Sequence, residues 1–500
     1  MNGVEFLLGT KALAQHGERP ALICADSQVT YRELAEAVRR ASAALVAHGV
    51  KPGERVLILM RDTPEFAACW LGALRAGAVA VALNSKLTEA EYRHILTDSR
   101  ARLAVIEDVF AAARSDLTAE LARENRIVVA GGASIGLPDW RESLRNAPET
   151  PSFEAGESAA AFMLYSSGTT DRPKGILHAH RSVHHVGAAL RRFGIGAGDR
   201  IFTTSKFFFA YGLEHGLLGP LALGATSILS ADWPTVETLL DIVAKHRLQA
   251  MFSVPTMYRR LLAQPHARLA PLRAVKRFVA GGERLSPQLV EQWRAATGGE
   301  LLNLYGMSET FCACIVTPPG SSDGVRTGTP LDGVEVRIEG EPGVLWIRHP
   351  AQASGYANLP QQSAEQFKNG WFCTRDVFTR DAQGYYVHQG RSDELVKIAG
   401  QWVQPGELEE TVAAEPAIAE AACVALADAD GLQRLALFVA ARDDPEEALR
   451  AAAEACERAL PSHKRPKWLR AVDQLPRTAT GKVQRFKLRE MLQRELSSKR

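Results

Sequence analysis

Residues 165–175 read Tyr-Ser-Ser-Gly-Thr-Thr-Asp-Arg-Pro-Lys-Gly. A stretch with so little apolar surface builds no core, and its residue types point to a partner outside the chain, phosphate in the first place. Glycines let backbone N–H groups come close to an anion, Ser166, Ser167, Thr169 and Thr170 add hydroxyl donors, and Arg172 and Lys174 supply positive charge. A solvated surface loop has the same composition, and composition alone does not separate the two readings. The Walker loop is disfavoured, because it ends Gly-Lys-Ser/Thr to hold magnesium, whereas the order here is Lys174-Gly175-Ile176. That argues against a kinase or a P-loop ATPase.

Five further clusters follow. Ala280-Gly281-Gly282-Glu283, the run Asn303-Leu304-Tyr305-Gly306-Met307-Ser308-Glu309-Thr310, Thr374-Arg375-Asp376, Gly390-Arg391-Ser392-Asp393-Glu394 and Pro476-x-Thr478-x-x-Gly481-Lys482 stand in that order. With the loop at 165–175 they resemble, over most of the chain, the motifs of the adenylate-forming superfamily of acyl-CoA ligases, luciferases and peptide-synthetase adenylation domains. The resemblance implies that a carboxylate attacks the α-phosphorus of ATP, expels pyrophosphate and becomes an acyl adenylate. Such a step brings anions together, so it demands charge neutralisation and in-line positioning, ordinarily from magnesium, a lysine and preorganised donors.

Residue roles follow from the resemblance. The loop residues Ser166, Ser167, Gly168, Thr169, Thr170 and Lys174 would cradle the phosphates. Glu309 would hold Mg2+, and Ser308, where the family usually has threonine, would touch the α-phosphate; an exposed acid after a turn is the plain alternative for Glu309. Tyr305 would stack on adenine with Gly281 and Gly282 opposite and Glu283 beside them. Asp376 would accept from both ribose hydroxyls, a task for two carboxylate oxygens, and Arg391 would also reach the nucleotide. Lys482 would bridge the carboxylate and the α-phosphate, a point-charge task that a flexible stem serves well. Asp393 would be the hinge about which a small domain turns between two half-reactions. In the second orientation the segment 397–402 would line a tunnel for a thiol, with Gly400 leaving room for pantetheine and Trp402 beside it.

The stretch 206–213, Lys-Phe-Phe-Phe-Ala-Tyr-Gly-Leu, with 400–405, Gly-Gln-Trp-Val-Gln-Pro, resembles the benzoate-CoA ligase branch. On that resemblance Ala210 and Tyr211 would contact an aromatic ring, and Gly306, Phe311, Cys312 and Ala313 would close the pocket. Small Cys312 and Ala313 leave room for a substituted or larger aryl acid. Glu214 and His215 could meet a polar substituent or equally face solvent. Two positions depart from the pattern: Asp171 and Arg375 stand where glycine is usual. Asp171 adds negative charge near ATP and disfavours nucleotide binding unless Arg172 pairs with it.

The elements that must position these residues follow from periodicity. Apolar runs of strand length alternate with amphipathic helical segments through the first three hundred residues, the pattern of a parallel sheet flanked by helices. Strands are expected at 55–60, 79–83, 102–107, 160–164, 200–204, 225–229, 250–254, 277–280 and 301–305. Capping boxes are expected at Thr30 with Glu33 and at Thr88 with Glu91. A helix is expected from near Arg181, after the phosphate loop, and a loose connection at 146–158. Shorter strands at 333–338 and 344–348 imply a small antiparallel section. An α+β tail follows, with strands at 421–425, 435–439 and 468–472 and helices near 445–459 and 486–497. The fold class is therefore α/β, with a large domain over 1–392 and a small mobile domain over 393–500.

The chain has 500 residues, 46% hydrophobic and 23% charged, with a net charge of +2. Its length exceeds one core, and its charge carries no bias towards nucleic acid or a membrane surface. No apolar run reaches the length of a membrane span, and Glu5 stands where a signal peptide is basic or apolar, so a cytoplasmic location is expected. The seven cysteines are scattered, which suits reduced thiols, and Cys312 with Cys314 lacks a second pair at zinc spacing. The run His178, His180, His184 and His185 has no acidic companion, which favours a structural role over a metal site. The reading is an aryl-acid CoA ligase that takes ATP, Mg2+ and coenzyme A and a small aryl carboxylic acid, with a homodimer left open. The alternatives are an adenylation enzyme that loads a carrier protein and an ATP sensor without catalysis. The basic residues of 461–467 would meet either the phosphates of CoA or an acidic carrier.

Overall fold

The structure, a computed structural model, describes residues 1–131, 136–167, 172–341, 343–398, 401–413, 415–477 and 483–498. It divides into two compact units. The first comprises 1–337, 346–373 and 380–387, and the second 338–345, 374–379 and 388–500.

The first unit holds two sheets, and the chain visits them in turn. It opens one sheet with β1 (Pro20–Cys24) and β2 (Ser27–Thr30). It then builds a second from β3 (Arg55–Leu59), β4 (Val79–Ala82), β5 (Leu103–Glu107), β6 (Ile127–Ala130), β7 (Ala160–Ser167) and β8 (Pro173–Ala179). It returns to the first sheet with β9 (Arg200–Thr203), β10 (Thr226–Leu229), β11 (Ala250–Ser253), β12 (Arg277–Gly281), β13 (Leu301–Tyr305), β14 (Ile315–Val316) and β15 (Thr329–Pro330). The strand order of the first sheet is β15-β14-β13-β12-β11-β9-β10-β1-β2. From β13 to β1 its neighbours are all parallel. Their carboxyl ends therefore share one edge, where open α/β sheets bind ligands. The order in the second sheet is β8-β7-β4-β3-β5-β6, with the two-residue strand Gly355–Tyr356 beside β8.

The parallel strands form because their runs are mostly apolar and buried and helices cover them. Helix Tyr31–Ala47 buries Leu34, Val38, Ala41 and Leu45 at helical spacing. Both expected capping boxes are present. The Thr30 N–H donates to Glu33 Oε2 at 2.8 Å and the Thr88 N–H to Glu91 Oε2 at 2.7 Å, and each threonine hydroxyl receives the glutamate N–H in return.

The structure corrects the segment after the phosphate loop. The helix expected near Arg181 is preceded by a strand, β8, which pairs antiparallel with β7 in the register Tyr165↔Gly175, Ser166↔Lys174 and Ser167↔Pro173. The loop is thus a hairpin connection, with only the short helix His180–Val183 following. The run Gly-Ile-Leu-His-Ala is too short for periodicity to separate strand from helix, and pairing with β7 decides it. Nor is 146–158 wholly loose. The Phe153 N–H donates to the Arg75 carbonyl at 2.9 Å, Asn2 Nδ2 donates to the Phe153 carbonyl at 3.1 Å, and Ala155 is buried.

The second unit carries a three-stranded sheet in which Ile418–Ala427 pairs antiparallel with Gln433–Ala441, which pairs parallel with Trp468–Val472. Helices Pro405–Ala413, Pro445–Ala459 and Arg485–Ser498 accompany it. Among the described residues no helix is long and apolar enough to cross a membrane.

Candidate active site

Three segments leave the carboxyl edge of the first sheet. The first, after β9, is fixed by Lys206. This buried ammonium lies 3.1 Å from Asp62 Oδ2 and donates to the carbonyls of Ser230, Ala231 and Asp232 at 2.7, 3.0 and 3.3 Å. Burial pushes the Asp62 carboxyl up to about 6 even with the lysine beside it. With 206 held, the short helix Ala210–Leu213 sets Tyr211 over the ends of β11 and β12. There its hydroxyl lies 3.2 Å from each of the carbonyls of Ser253 and Val279.

The second segment is the end of β12. A Cβ at Gly281 would stand 2.9 Å from Tyr211 Cε2, so only glycine lets the strand pass the ring at this distance. Gly282 is exposed and has φ +80°, the left-handed region that glycine enters without strain. Glu283 is engaged elsewhere, accepting from the Thr256 N–H at 3.0 Å and the Thr256 hydroxyl at 2.7 Å.

The third segment is the end of β13. Tyr305, Gly306, Met307, Ser308 and Glu309 are all half-buried, a partly open strip beside Gly281 and Gly282. The chain then turns sharply at Phe311, a bulky residue held at φ +59°. Such a conformation persists only where packing over-determines it. Here the Phe311 ring meets Phe162 at 4.7 Å and His178 at 5.5 Å. Cys312 and Ala313 follow, fully buried.

This strip is tied to the phosphate-loop hairpin of the other sheet. His178 on β8 donates through Nε2 to the Ser308 carbonyl at 2.9 Å and stacks on Phe162 at 4.7 Å. The Tyr356 hydroxyl, one strand outward from β8, lies 2.9 Å from Glu309 Oε1 and 2.7 Å from Gln366 Oε1. It has one proton to give, and the carboxylate is the stronger acceptor. Lys174 Nζ lies 5.1 Å from the centroid of the Tyr356 ring. The hairpin that carries Ser166 and Lys174 is thus joined to the strip that carries Ser308 and Glu309 through two side chains. Gly168, Thr169 and Thr170 lie outside the described residues, as does Asp171; Ser167 is placed at the end of β7.

Among the described residues no group of three His, Cys, Asp or Glu side chains could hold a metal by itself. A single carboxylate at Glu309 among hydroxyls fits magnesium, which takes oxygen ligands and is commonly bound by one or two carboxylates together with substrate phosphates. The histidine run is structural. Burial pushes His178 and His180 down to about 4, and His180 Nδ1 receives the Gly3 N–H at 3.1 Å. Cys312 and Cys314 are buried thiols, as a packing role requires.

The second unit has its own cluster. Asp376 is buried and meets Arg391 Nη1 at 3.3 Å, and Arg391 Nε meets Asp393 Oδ1 at 3.3 Å. Burial pulls the Arg391 guanidinium down, but Asp376, Asp393 and Glu394 together outweigh it and hold it above its ordinary range. Arg375, directly before Asp376, sits at φ +60°, the left-handed region that glycine enters without strain and an arginine does not. Trp402 is exposed on a hairpin opposite Lys397. Gly400 and Lys482 lie outside the described residues. The basic residues of 461–467 are engaged within this unit. Lys464 pairs with Glu407 at 2.7 Å, Lys467 with Asp428 at 2.8 Å, and Arg465 donates to the carbonyls of Leu460 and Glu457.

Lys206 and Tyr356 carry no role in the sequence reading. Lys206 begins a quoted motif, but its partners lie far along the chain. Tyr356 sits in an unremarked Ser-Gly-Tyr whose only signal is a tyrosine beside a glycine.

Comparison with known proteins agrees with this geometry. The chain is 39% identical, over 99% of its length and 98% of the relative's, to a 3-hydroxybenzoate–CoA/4-hydroxybenzoate–CoA ligase of Thauera aromatica. A benzoate–CoA ligase of the same organism is 34% identical over 98% of this chain and 95% of its own. The crystal structure of the anthranilate CoA ligase AuaEII in complex with anthranoyl-AMP superposes with a TM-score of 0.90 at 29% identity, over 99% of this chain and 98% of that one. The AMP-binding enzyme model matches residues 10–357 and its C-terminal domain residues 407–482. The first of these matches spans both the hairpin at 160–179 and the strip Tyr305–Glu309, and the chain belongs to the AMP-binding enzyme family.

Proposed function

We propose that the protein is an ATP-dependent aryl-acid CoA ligase. The observation that carries this is the junction of the Ser166–Lys174 hairpin with the strip Tyr305–Glu309, flanked by Tyr211, in a chain whose relatives are named as benzoate– and hydroxybenzoate–CoA ligases. In this reading the aryl carboxylate lies over Tyr211 and Ala210, with Gly306, Cys312 and Ala313 closing its far side. Tyr305, Gly281, Gly282 and Glu283 take the adenine, and Asp376 and Arg391 the ribose side of the nucleotide. Ser166, Ser167, Gly168, Thr169, Thr170 and Lys174 hold the phosphates by backbone and side-chain donors. Ser308 and Lys482 neutralise charge that develops at the α-phosphorus, where fixed donors act most strongly.

Glu309 would hold Mg2+, which when bound offsets the charge of the departing pyrophosphate. Asp393 is the hinge, and Gly400 with Trp402 admits the CoA thiol in the second half-reaction.

The test is a panel of carboxylic acids with ATP and Mg2+, with and without CoA. AMP release that requires both an aryl acid and CoA is expected. Release that needs the acid but runs equally well without CoA would instead favour carrier-protein loading. Lys482→Ala should lower ATP–pyrophosphate exchange by roughly a hundredfold or more. Normal exchange in that variant would remove Lys482 from the adenylation step.

A further inference from the structure

Directly after the helix that sets Tyr211, the chain makes a π-helical turn, Glu214–Leu218. Such bulges are rare and frequently occur at functional sites. Glu214 and His215, the first two residues of the turn, are each only 1% exposed. They are an acid and a base in an otherwise apolar run from Ala210 to Leu223, and neither faces solvent.

Their hydrogen bonding is half complete. Glu214 Oε2 accepts the Ala313 N–H at 3.0 Å, and the buried Cys312 thiol, a weak donor, also bonds to the carboxyl, while Oε1 meets no N–H or O–H donor among the described residues. His215 Nδ1 donates to the Tyr211 carbonyl at 3.0 Å, so in the neutral ring Nε2 is an acceptor, and it too lacks a partner. Nε2 stands 3.4 Å from Glu214 Oε2, and the imidazole stacks on Phe252 with ring centroids 4.9 Å apart. Buried side-chain polar atoms are nearly always paired. An unpaired His215 Nε2 next to a carboxyl oxygen that at most a thiol reaches, held by Tyr211 on one side and Ala313 on the other, points to a ligand atom.

Burial pushes the Glu214 carboxyl up to about 8 and the His215 imidazole down to about 4. Near neutral pH the pair therefore offers one O–H donor and one nitrogen lone pair. A hydroxyl matches both at once, whereas a ring hydrogen, a methyl or a chlorine matches neither.

We propose that Glu214 and His215 are the specificity-determining pair of the acyl pocket and receive a hydroxyl on the ring of the aryl acid. The hydroxyl donates to His215 Nε2, and its oxygen accepts from Glu214 Oε1. Both atoms are shut off from solvent, so entry of the substituent requires the Glu214 side chain to turn about, or give up, its hydrogen bond to the Ala313 N–H. The inference rests on the aryl-acid reading above and narrows it to hydroxylated acids.

The test measures kcat/KM for AMP release with benzoate, 3-methylbenzoate, 3-hydroxybenzoate and 4-hydroxybenzoate. The wild type should prefer at least one hydroxybenzoate over benzoate and methylbenzoate by about tenfold or more, since a site built to bond a hydroxyl rejects analogues that lack it. Glu214→Leu should collapse that ratio, and Glu214→Gln, which keeps a donor, should retain most of it. His215→Phe keeps the stacked shape and supplies the comparison should Glu214→Leu fail to fold; it too should collapse the ratio. Aryl acids turned over with no preference for a hydroxyl would overturn the inference and leave the ligase reading standing. Variants that lower every acid by the same factor would also overturn it, by showing a structural role. If no aryl acid releases AMP, the ligase reading itself falls.

Discussion

Tyr356 and Glu309, 47 positions apart in the chain, meet in a hydrogen bond of 2.9 Å. The bond occupies one carboxylate oxygen and so orients the other. Because Tyr356 also pairs through its backbone with Ile176 of β8 and lies beside Lys174, it ties the acid to the phosphate-loop hairpin. Tyr356→Phe keeps the ring and removes only the hydroxyl. A hydrogen bond to a charged group contributes about 1.5–3 kcal/mol, so ATP–pyrophosphate exchange should fall roughly ten- to hundredfold. The Mg2+ concentration for half-maximal rate should rise with it. A magnesium dependence identical to that of the wild type would show that Tyr356 does not act through the metal's carboxylate.

Arg375 carries a backbone conformation that its side chain does not favour. At φ +60° an L-residue with a Cβ costs about 1–2 kcal/mol, and glycine, which loses more freedom on folding, recovers only part of that. Arg375→Gly should therefore stabilise the protein by about 0.5–1 kcal/mol, read as a higher urea midpoint. A lower midpoint would mean that the arginine side chain makes contacts worth more than the strain.

The parallel strands were legible because a strand covered on both faces is mostly apolar, as Val79–Ala82 is at every position, and Leu301–Tyr305 matches its expected bounds end to end even with Asn303 inside it. Less regular elements escaped. The strand Ser27–Thr30 is polar and half-exposed, and the buried Ile127–Ala130 was also not expected, although it is as long as Val79–Ala82, which was. β8 was not expected, because its partner strand cannot be seen locally. At the candidate site, motif residues of distinctive type marked Glu309, Tyr211 and Gly281, and the fold sets all three at or just beyond the ends of its strands. Tyr356 and Lys206 act through partners tens to over a hundred residues away, as Asp62 is from Lys206, and no window of sequence contains both ends of such a contact. Glu214 left one local trace, an acid inside an apolar run, but only the fold shows that it is buried beside Ala313.

The buried histidines set a direction for stability against pH. Burial holds His178, His180, His215 and His349 near 4, below the ordinary 6.5. Below pH 6.5 the unfolded chain takes up protons that the folded chain refuses. Stability is thus fully present above about 6.5 and falls as the pH drops towards 4, by up to about 1.4 kcal/mol per pH unit for each such group. His178→Gln removes one titrating group and keeps a donor for the Ser308 carbonyl. Urea titrations between pH 6.5 and 4.5 should show a shallower slope in the variant, by up to one proton's worth. Equal slopes would mean that His178 is protonated in the folded state.

The side chain and the backbone of Ala313 serve different ends. Its N–H holds Glu214, and its small side chain, 1% exposed, packs in a cluster with Tyr211, Leu304 and Val316. Ala313→Ile leaves the N–H in place and adds three carbons. If the added volume finds no room in the core, overpacking costs about 1–3 kcal/mol of stability; if Ala313 walls the acyl pocket, the volume comes out of the substrate's space. The second outcome is expected. The variant should lose kcat/KM for 3- and 4-substituted benzoates by about tenfold more than for benzoate, because the unsubstituted ring ends short of the new methyl groups. A melting temperature that drops while all acids suffer alike would place Ala313 in the core and move the far wall of the pocket elsewhere.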